Sequence, residues 1–66
     1  MIVWVNGSKE TLPEATAVGK VLENFRLDAK SVAVELNRRV LDKHEYERTR
    51  LSDNDVLEIV HFVGGG

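Results

Sequence analysis

The 66-residue sequence contains no cysteine. This excludes a disulfide framework and a thiolate metal site as ways to stabilise so short a chain. A domain of this length buries only about 60% of the surface that its unfolded chain exposes. The hydrophobic residues, 42% of the total, must therefore form the core, and the 30% charged residues can cover the surface. This composition predicts one soluble, globular domain with no room for a second core.

The sequence also lacks an excess of charge of either sign and any long hydrophobic run. Its formal net charge is −2, whereas nucleic-acid binding generally requires a basic surface. No apolar run approaches the roughly 20 residues that span a bilayer. Residues 1–5 are apolar, but no positive segment precedes them and no small-residue cleavage site follows, so we do not expect a signal peptide. These features predict a cytoplasmic protein that binds neither nucleic acid nor membrane.

A β-hairpin is predicted at the start of the chain, over residues 1–12. Residues 1–5 form a short apolar run rich in β-branched side chains, typical of a strand buried on both faces. Asn6 and Gly7 suit the positive φ that both central positions of a type I′ turn require. The return strand at 8–12 is polar enough for a sheet edge, and it ends at a proline, which has no N–H to donate.

An amphipathic helix of about ten residues and further strands are predicted next. Thr16 is the expected N-cap of the helix, and Gly19 is expected to permit a close approach to the sheet. The apolar helix face has i, i+3, i+4, i+7 spacing and consists of Val18, Val21, Leu22 and Phe25. Alternation at Val32, Val34 and Leu36 predicts a strand with one face towards the core. The later elements expected are a turn at 38–39, a brief strand at 40–41, a helical turn at 44–46, a turn at 52–55 and a last strand at 56–62.

This order of elements predicts an α+β fold. A mixed sheet of four to five strands would have one helix packed on one face. The first and last strands are the most apolar, and we expect them to pair in the centre of the sheet. Their pairing should be parallel, because a long crossover separates them.

The last four residues, Val63 followed by three glycines, contain the candidate functional group. Glycine adds no side-chain bulk and tolerates backbone conformations closed to other residues. These properties suit a flexible tail at 63–66 that enters a narrow channel in a partner enzyme. Four extended residues reach about 13–14 Å, so the Gly66 carboxylate could enter an active site while a domain at 1–62 stays outside. A frayed terminus or a cloning remnant is the alternative explanation.

The sequence resembles the ThiS-type sulfur carriers of thiamine biosynthesis from end to end. The matching segments are IVWVNG at 2–7, VAVELN at 32–37, the stretch from Leu51 through DVLEIV at 55–60, and VGGG at 63–66. The resemblance implies the ubiquitin-like β-grasp fold. Family members often have glycine at two turn positions that hold Arg38 and Asn54 here. Asn54 is a mild substitute in a left-handed conformation, whereas Arg38 suggests a different turn.

The resemblance also implies a reaction cycle on the carboxylate of Gly66. An E1-like adenylyltransferase (ThiF-type) converts this carboxylate to an acyl-adenylate with ATP and magnesium. Sulfur from a cysteine desulfurase relay then yields a thiocarboxylate, and thiazole synthase (ThiG-type) takes the sulfur while it builds the thiazole phosphate of thiamine. Gly66 would carry the sulfur, and Val63, Gly64 and Gly65 would give it access. The chain would be a protein co-substrate with no bound cofactor, not an enzyme.

The last strand predicts a docking surface for partner proteins. If Leu57 and Ile59 face the helix, then Glu58, Val60 and Phe62 face away from it. Clustered exposed apolar residues indicate an interaction site. The alternative is that strand twist or the segment at 38–50 covers them.

Other candidate sites are weaker, and several functions stay open. His44 and His61 lack metal-ligand spacing, and acidic residues interrupt the basic stretch at 38–50, which indicates a solvated surface. Within the same chemistry, the chain could supply sulfur for molybdopterin synthesis. It could also be a ubiquitin-like modifier conjugated through Gly66. From another class, a β-grasp interaction module without carrier function would make the tail incidental.

Overall fold

Five strands and one α-helix form the regular structure of residues 1–62, the part of the chain that the computed structural model describes. The elements are β1 (Ile2–Val5), β2 (Ser8–Thr11), α1 (Val18–Asn24), β3 (Val32–Leu36), β4 (Arg39–Val40) and β5 (Asp55–His61), with short 3₁₀ helices at Ala29–Ser31 and Lys43–Glu45. The strand order is β2-β1-β5-β3-β4. β1 and β5 are parallel, and the other neighbours are antiparallel. The predicted mixed sheet, with its first and last strands paired in parallel, is confirmed.

The first hairpin forms as predicted, but one expectation about its first strand was wrong. Asn6 and Gly7 have φ of 49° and 83°, as a type I′ turn requires, and β2 lies at the sheet edge. Val3 and Val5 are buried at 0% and 3% exposure, whereas Trp4 between them is 38% exposed. β1 is therefore buried on one face only, because α1 covers one face of the sheet.

The core lies between α1 and the inner face of the sheet. It consists of Val3, Val5, Val18, Val21, Leu22, Val32, Val34, Leu41, Tyr46, Leu51, Leu57 and Ile59. Phe25 was expected on the apolar helix face, but it is 40% exposed. The helix is shorter than predicted and ends at Asn24, so Phe25 is its C-cap and leaves the buried stripe.

Two predictions about the start of α1 were also wrong. Thr16 is not the N-cap: Ala17 holds that position without a side-chain bond, and Thr16 Oγ1 donates to the carbonyl of Pro13 at 2.6 Å. Gly19 does permit a close approach, but the approaching segment is a loop and not the sheet. Its N–H donates to the carbonyl of Tyr46 at 2.9 Å. This loop supplies an acceptor for an N–H that the first turn of a helix leaves free.

The second half of the chain contains the predicted turns with small shifts. The turn expected at 38–39 lies one residue earlier, where Asn37 and Arg38 have φ of 50° and 71°. Arg38 adopts the left-handed conformation that glycine would, so the expected change of turn was wrong. Asn54 has φ of 69° in the turn before β5, which confirms the left-handed position expected there. Within residues 1–62, no helix is long and apolar enough to cross a membrane.

Candidate functional site

Within residues 1–62, no element covers the face of the sheet opposite α1, and this face includes the predicted docking residues. On β5, Leu57 and Ile59 point into the core with 0% and 9% exposure. Glu58 is exposed, Val60 is 61% exposed, and Phe62, just after the strand, is 55% exposed. The predicted orientation of β5 is confirmed. Docking itself stays a prediction.

Neighbouring strands extend this surface beyond the residues that the sequence indicated. Directly paired residues in a sheet share a face, and the register pairs Val56 with Trp4 and Glu58 with Glu35. Val56 is 40% exposed, similar to Trp4. We call the surface formed by Trp4, Glu35, Val56, Glu58, Val60 and Phe62 the open face. Sequence reasoning missed Trp4 because an unbroken apolar run suggested burial on both sides of the strand.

The open face combines apolar side chains with a pair of like charges. Glu35 and Glu58 lie directly opposite each other across β3 and β5, an arrangement that costs stability in a sheet. No ion pair within residues 1–62 involves either carboxylate. The face is thus apolar around Val56 and Val60 and acidic between them. A partner surface with exposed apolar groups and a basic side chain would complement it.

The predicted tail residues, Val63, Gly64, Gly65 and Gly66, lie outside the described residues. The last described residue is Phe62, whose N–H donates to the carbonyl of Ser31 at 2.8 Å. Strand β5, which leads to it, lies in the middle of the sheet between β1 and β3. The chain therefore runs from the centre of the sheet directly towards the tail. The division into a domain at 1–62 and a tail at 63–66 stays a prediction.

His44 and Asp42 form an exposed pair outside the open face. No group of three or more His, Cys, Asp and Glu side chains in residues 1–62 is arranged to hold a metal ion. His44 Nδ1 lies 2.7 Å from Asp42 Oδ1. This hydrogen bond, with the charge of Asp42, raises the pKa of His44, and it lowers the pKa of Asp42. Asp42 and Glu45 also form a capping box on the second 3₁₀ helix. The pair is therefore explained as an exposed cap.

Comparison with known proteins identifies close relatives. A model of the ThiS family matches residues 3–66. The chain is 48% identical over 46 residues to the sulfur carrier protein ThiS of Bacillus subtilis (strain 168). This alignment covers 70% of each of the two chains. The chain is 36% identical over 66 residues to a thiazole synthase of Paramagnetospirillum magneticum, and this match covers the whole chain but 20% of that enzyme.

The fold has a match among solved structures. The crystal structure of the thiamine biosynthesis protein (ThiS) from Geobacter metallireducens superposes with a TM-score of 0.84 at 35% identity, with 100% of both chains covered. This match confirms the α+β, ubiquitin-like β-grasp fold that the resemblance implied. Because the family model also covers all but the first two residues, the chain belongs to the ThiS family.

Proposed function

We propose that this chain is a sulfur carrier protein of thiamine biosynthesis whose carboxyl group at Gly66 is the reactive site. It acts as a protein co-substrate and not as an enzyme. The observation that supports this most directly is the family match, which extends through the glycines to Gly66. The Bacillus subtilis relative is named a sulfur carrier protein.

The chemistry begins by activating the carboxylate of Gly66. A carboxylate is a poor electrophile, because its leaving group would be an oxide. An E1-like adenylyltransferase uses ATP and magnesium to join it to AMP, with release of pyrophosphate. The terminal sulfur of a persulfide from a cysteine desulfurase relay then attacks the acyl carbon and displaces AMP. A second thiol cleaves the resulting acyl disulfide, which leaves the thiocarboxylate on Gly66 and a disulfide between the two thiols. Thiazole synthase takes this sulfur into the thiazole moiety of thiamine.

Access to these enzymes depends on the residues before Gly66. Together with Gly66 itself, Val63, Gly64 and Gly65 give the carboxylate a reach of about 13–14 Å from the domain when extended. Glycine adds no side chain that would obstruct a narrow channel. The domain at 1–62 stays outside the partner's active site and serves for recognition. We place this cycle in the cytoplasm, where ATP is available for the activation step.

Thiazole synthase is supported as a partner by the Paramagnetospirillum magneticum relative. One fifth of that thiazole synthase is similar to the whole of this chain. A carrier-like segment within the enzyme that uses the sulfur would be present at a high effective concentration. A carrier on a separate chain would need a docking surface to reach the same enzyme.

We assign to the open face the docking of both thiazole synthase and the adenylyltransferase, with Val60, Phe62 and Glu58 as its centre. Interfaces are enriched in aromatic residues, and a few buried anchors provide most of the affinity. Val60 and Phe62 are more than half exposed and adjoin the start of the tail. The opposed carboxylates of Glu35 and Glu58 favour a partner that places a basic side chain between them.

The test of carrier function is intact-protein mass spectrometry. The chain is incubated with ATP, magnesium, a purified E1-like enzyme, and a cysteine desulfurase with cysteine. The expected product is the chain in which sulfur replaces one oxygen of the Gly66 carboxylate. The matched control is the chain without Gly65 and Gly66, which we expect to stay folded and to remain unmodified.

Other products would favour the alternative functions. Conjugates to lysine side chains, without a thiocarboxylate, would indicate a ubiquitin-like modifier. Sulfur transfer to a molybdopterin precursor, but not through thiazole synthase, would indicate the other carrier pathway. Partner binding that is unaffected by loss of the last two glycines, with no adenylate formed, would indicate an interaction module.

A further inference from the structure

Strand β5 extends further than the strand that flanks it on one side. β1 pairs with β5 as far as Val5 and Leu57, and the backbone N–H of Asn6 then donates to the carbonyl of Leu57 at 2.9 Å. The chain turns away at this point. On the other side, β3 continues to pair with β5 as far as His61. Among the described residues, no strand therefore lies beside the backbone of Ile59 on the β1 side.

The side chain of Asn6 occupies this place. Its Oδ1 accepts a hydrogen bond from the N–H of Ile59 at 2.7 Å, and its Nδ2 donates to the carbonyl of Ile59 at 3.1 Å. A carboxamide has the same donor and acceptor groups as a peptide unit. The side chain thus adds one rung to the β1–β5 ladder after the β1 backbone has left the sheet.

We propose that Asn6 is a positioning residue for the chemistry at Gly66. By holding Ile59 on the β1 side, it fixes the position and direction of the end of β5, at Val60 and His61. The chain continues from this end to the reactive carboxylate. This inference rests on the proposed carrier function.

Docking of the domain does not by itself place the carboxylate of Gly66 for reaction. The open face determines where the domain binds on the adenylyltransferase. The end of β5 then sets the point from which residues 63–66 lead towards ATP. A misplacement of about 1 Å at a reacting group can cost about 100-fold in rate. Loss of the Asn6 rung should therefore reduce turnover more than it reduces binding.

The chain offers a matched control at the opposite end of β5. Asn37 has φ of 50°, close to the 49° of Asn6. Its Oδ1 accepts from the N–H of Val56 at 3.0 Å, and its Nδ2 donates to Asp55 Oδ1 at 3.0 Å. Both side chains thus make two hydrogen bonds to β5 from a left-handed turn position. Only Asn6 does so near the end that leads to the tail.

The experiment compares Asn6→Gly with Asn37→Gly. Glycine tolerates the positive φ at both positions, so each variant keeps its turn and loses one side chain. The rate of adenylation is measured from the release of pyrophosphate in a mixture of the E1-like enzyme, ATP and magnesium. The carrier concentration is varied, and the temperature is one at which both variants are folded. We expect Asn6→Gly to lower kcat by about tenfold with little change in KM. Asn37→Gly should keep the wild-type kcat.

Amide hydrogen exchange checks the proposed cause in the free protein. Asn6→Gly should remove protection of the Ile59 amide, and Asn37→Gly that of the Val56 amide. Asn6→Asp is a second variant for the same position. It keeps the acceptor for the Ile59 N–H but loses the donor to the Ile59 carbonyl, so it should also lower kcat.

Equal kcat losses in both glycine variants would mean that Asn6 acts through stability alone, and this would overturn the inference. Wild-type kcat in Asn6→Gly, despite faster exchange at Ile59, would overturn it as well. Failure of the wild-type chain to form an adenylate would instead remove the proposed function on which the inference rests. The wild-type reaction therefore distinguishes the two failures.

Discussion

The substitution Val→Ala, made on opposite faces of the sheet, can distinguish a core residue from a residue of the open face. Val34 on β3 is 0% exposed, and Val60 on β5 is 61% exposed. They lie on adjacent strands, since Val34 pairs with Ile59 and Val60 with Ala33. Val→Ala removes the same carbon atoms at each position. We expect Val34→Ala to lower the stability of the fold, and Val60→Ala to lower the affinity for the adenylyltransferase.

The expected magnitudes follow from burial. Two buried carbons are worth about 1.6 kcal/mol of transfer free energy, at about 0.8 kcal/mol each. The cavity left at Val34 raises the cost of its substitution to about 2–3 kcal/mol. Val60 keeps most of its exposure, so its substitution should cost about 0.6 kcal/mol and leave no closed cavity. A chain of this length has a total unfolding free energy of about 3–10 kcal/mol, so the difference is measurable.

Urea denaturation followed by Trp4 fluorescence and far-ultraviolet circular dichroism measures the stability difference. The free energy of unfolding falls by about 1 kcal/mol per molar urea. Val34→Ala should therefore lower the denaturation midpoint by about 2–3 M, and Val60→Ala by about 0.6 M. Calorimetric titration with the adenylyltransferase, at a temperature where both variants are folded, measures affinity. Val60→Ala should weaken binding about fivefold or more, which corresponds to about 1 kcal/mol. Val34→Ala should bind like the wild type.

Two results would refute this reasoning. A loss of stability in Val60→Ala as large as in Val34→Ala would place Val60 in the core. Wild-type affinity in Val60→Ala would show that this part of the open face does not contact the partner. The same titration with Phe62→Ala then tests whether docking occurs on the remainder of the face.

Three further predictions concern local features of the fold. Gly19→Ala should raise Tm by a few degrees, because alanine stabilises a helix by about 1 kcal/mol relative to glycine. The new Cβ would meet mainly the carboxylate of Glu47, which is exposed and can move. An unchanged Tm would mean that Glu47 cannot move aside. Arg38→Gly should raise the midpoint of urea denaturation, because Arg38 has φ of 71° and this conformation costs a non-glycine residue about 1–2 kcal/mol. A lower midpoint would indicate that the arginine side chain makes a favourable contact. Asp42→Asn should return the pKa of His44 towards its ordinary value of 6.5, as followed by NMR. In the native protein this pKa is raised, so the stabilisation from His44 is present below its unfolded-state pKa and lost as pH rises through the folded one. Asp42 has a lowered pKa, so its contribution is lost as pH falls through that pKa. Retention of the raised His44 pKa in Asp42→Asn would contradict the assigned cause.

Features set by neighbouring residues were predictable from the sequence. The turn at Asn6 and Gly7 and the left-handed Asn54 follow from which side chains tolerate positive φ, a property of single residues. The inward positions of Leu57 and Ile59 follow from the alternation of side chains along a strand. The reactive role of Gly66 was likewise proposed from the residues themselves and from a family resemblance.

Features set by contacts distant in sequence were not predictable in this way. The N-terminal end of α1 depends on the loop near Tyr46, which lies over Gly19, and no local pattern indicates that contact. Thr16 has the chemistry of an N-cap, but its hydroxyl donates to Pro13 instead. Trp4 is exposed because α1 covers the other face of the sheet.

The open face was only partly determined by the sequence. The sequence by itself placed Glu58, Val60 and Phe62 on one side of the last strand, because side chains alternate along any strand. The tertiary structure decided that Trp4 and Glu35 lie beside them, because the order and register of strands depend on packing across the whole chain. The Asn6 rung on β5 has the same origin, since it joins residues at opposite ends of the sequence.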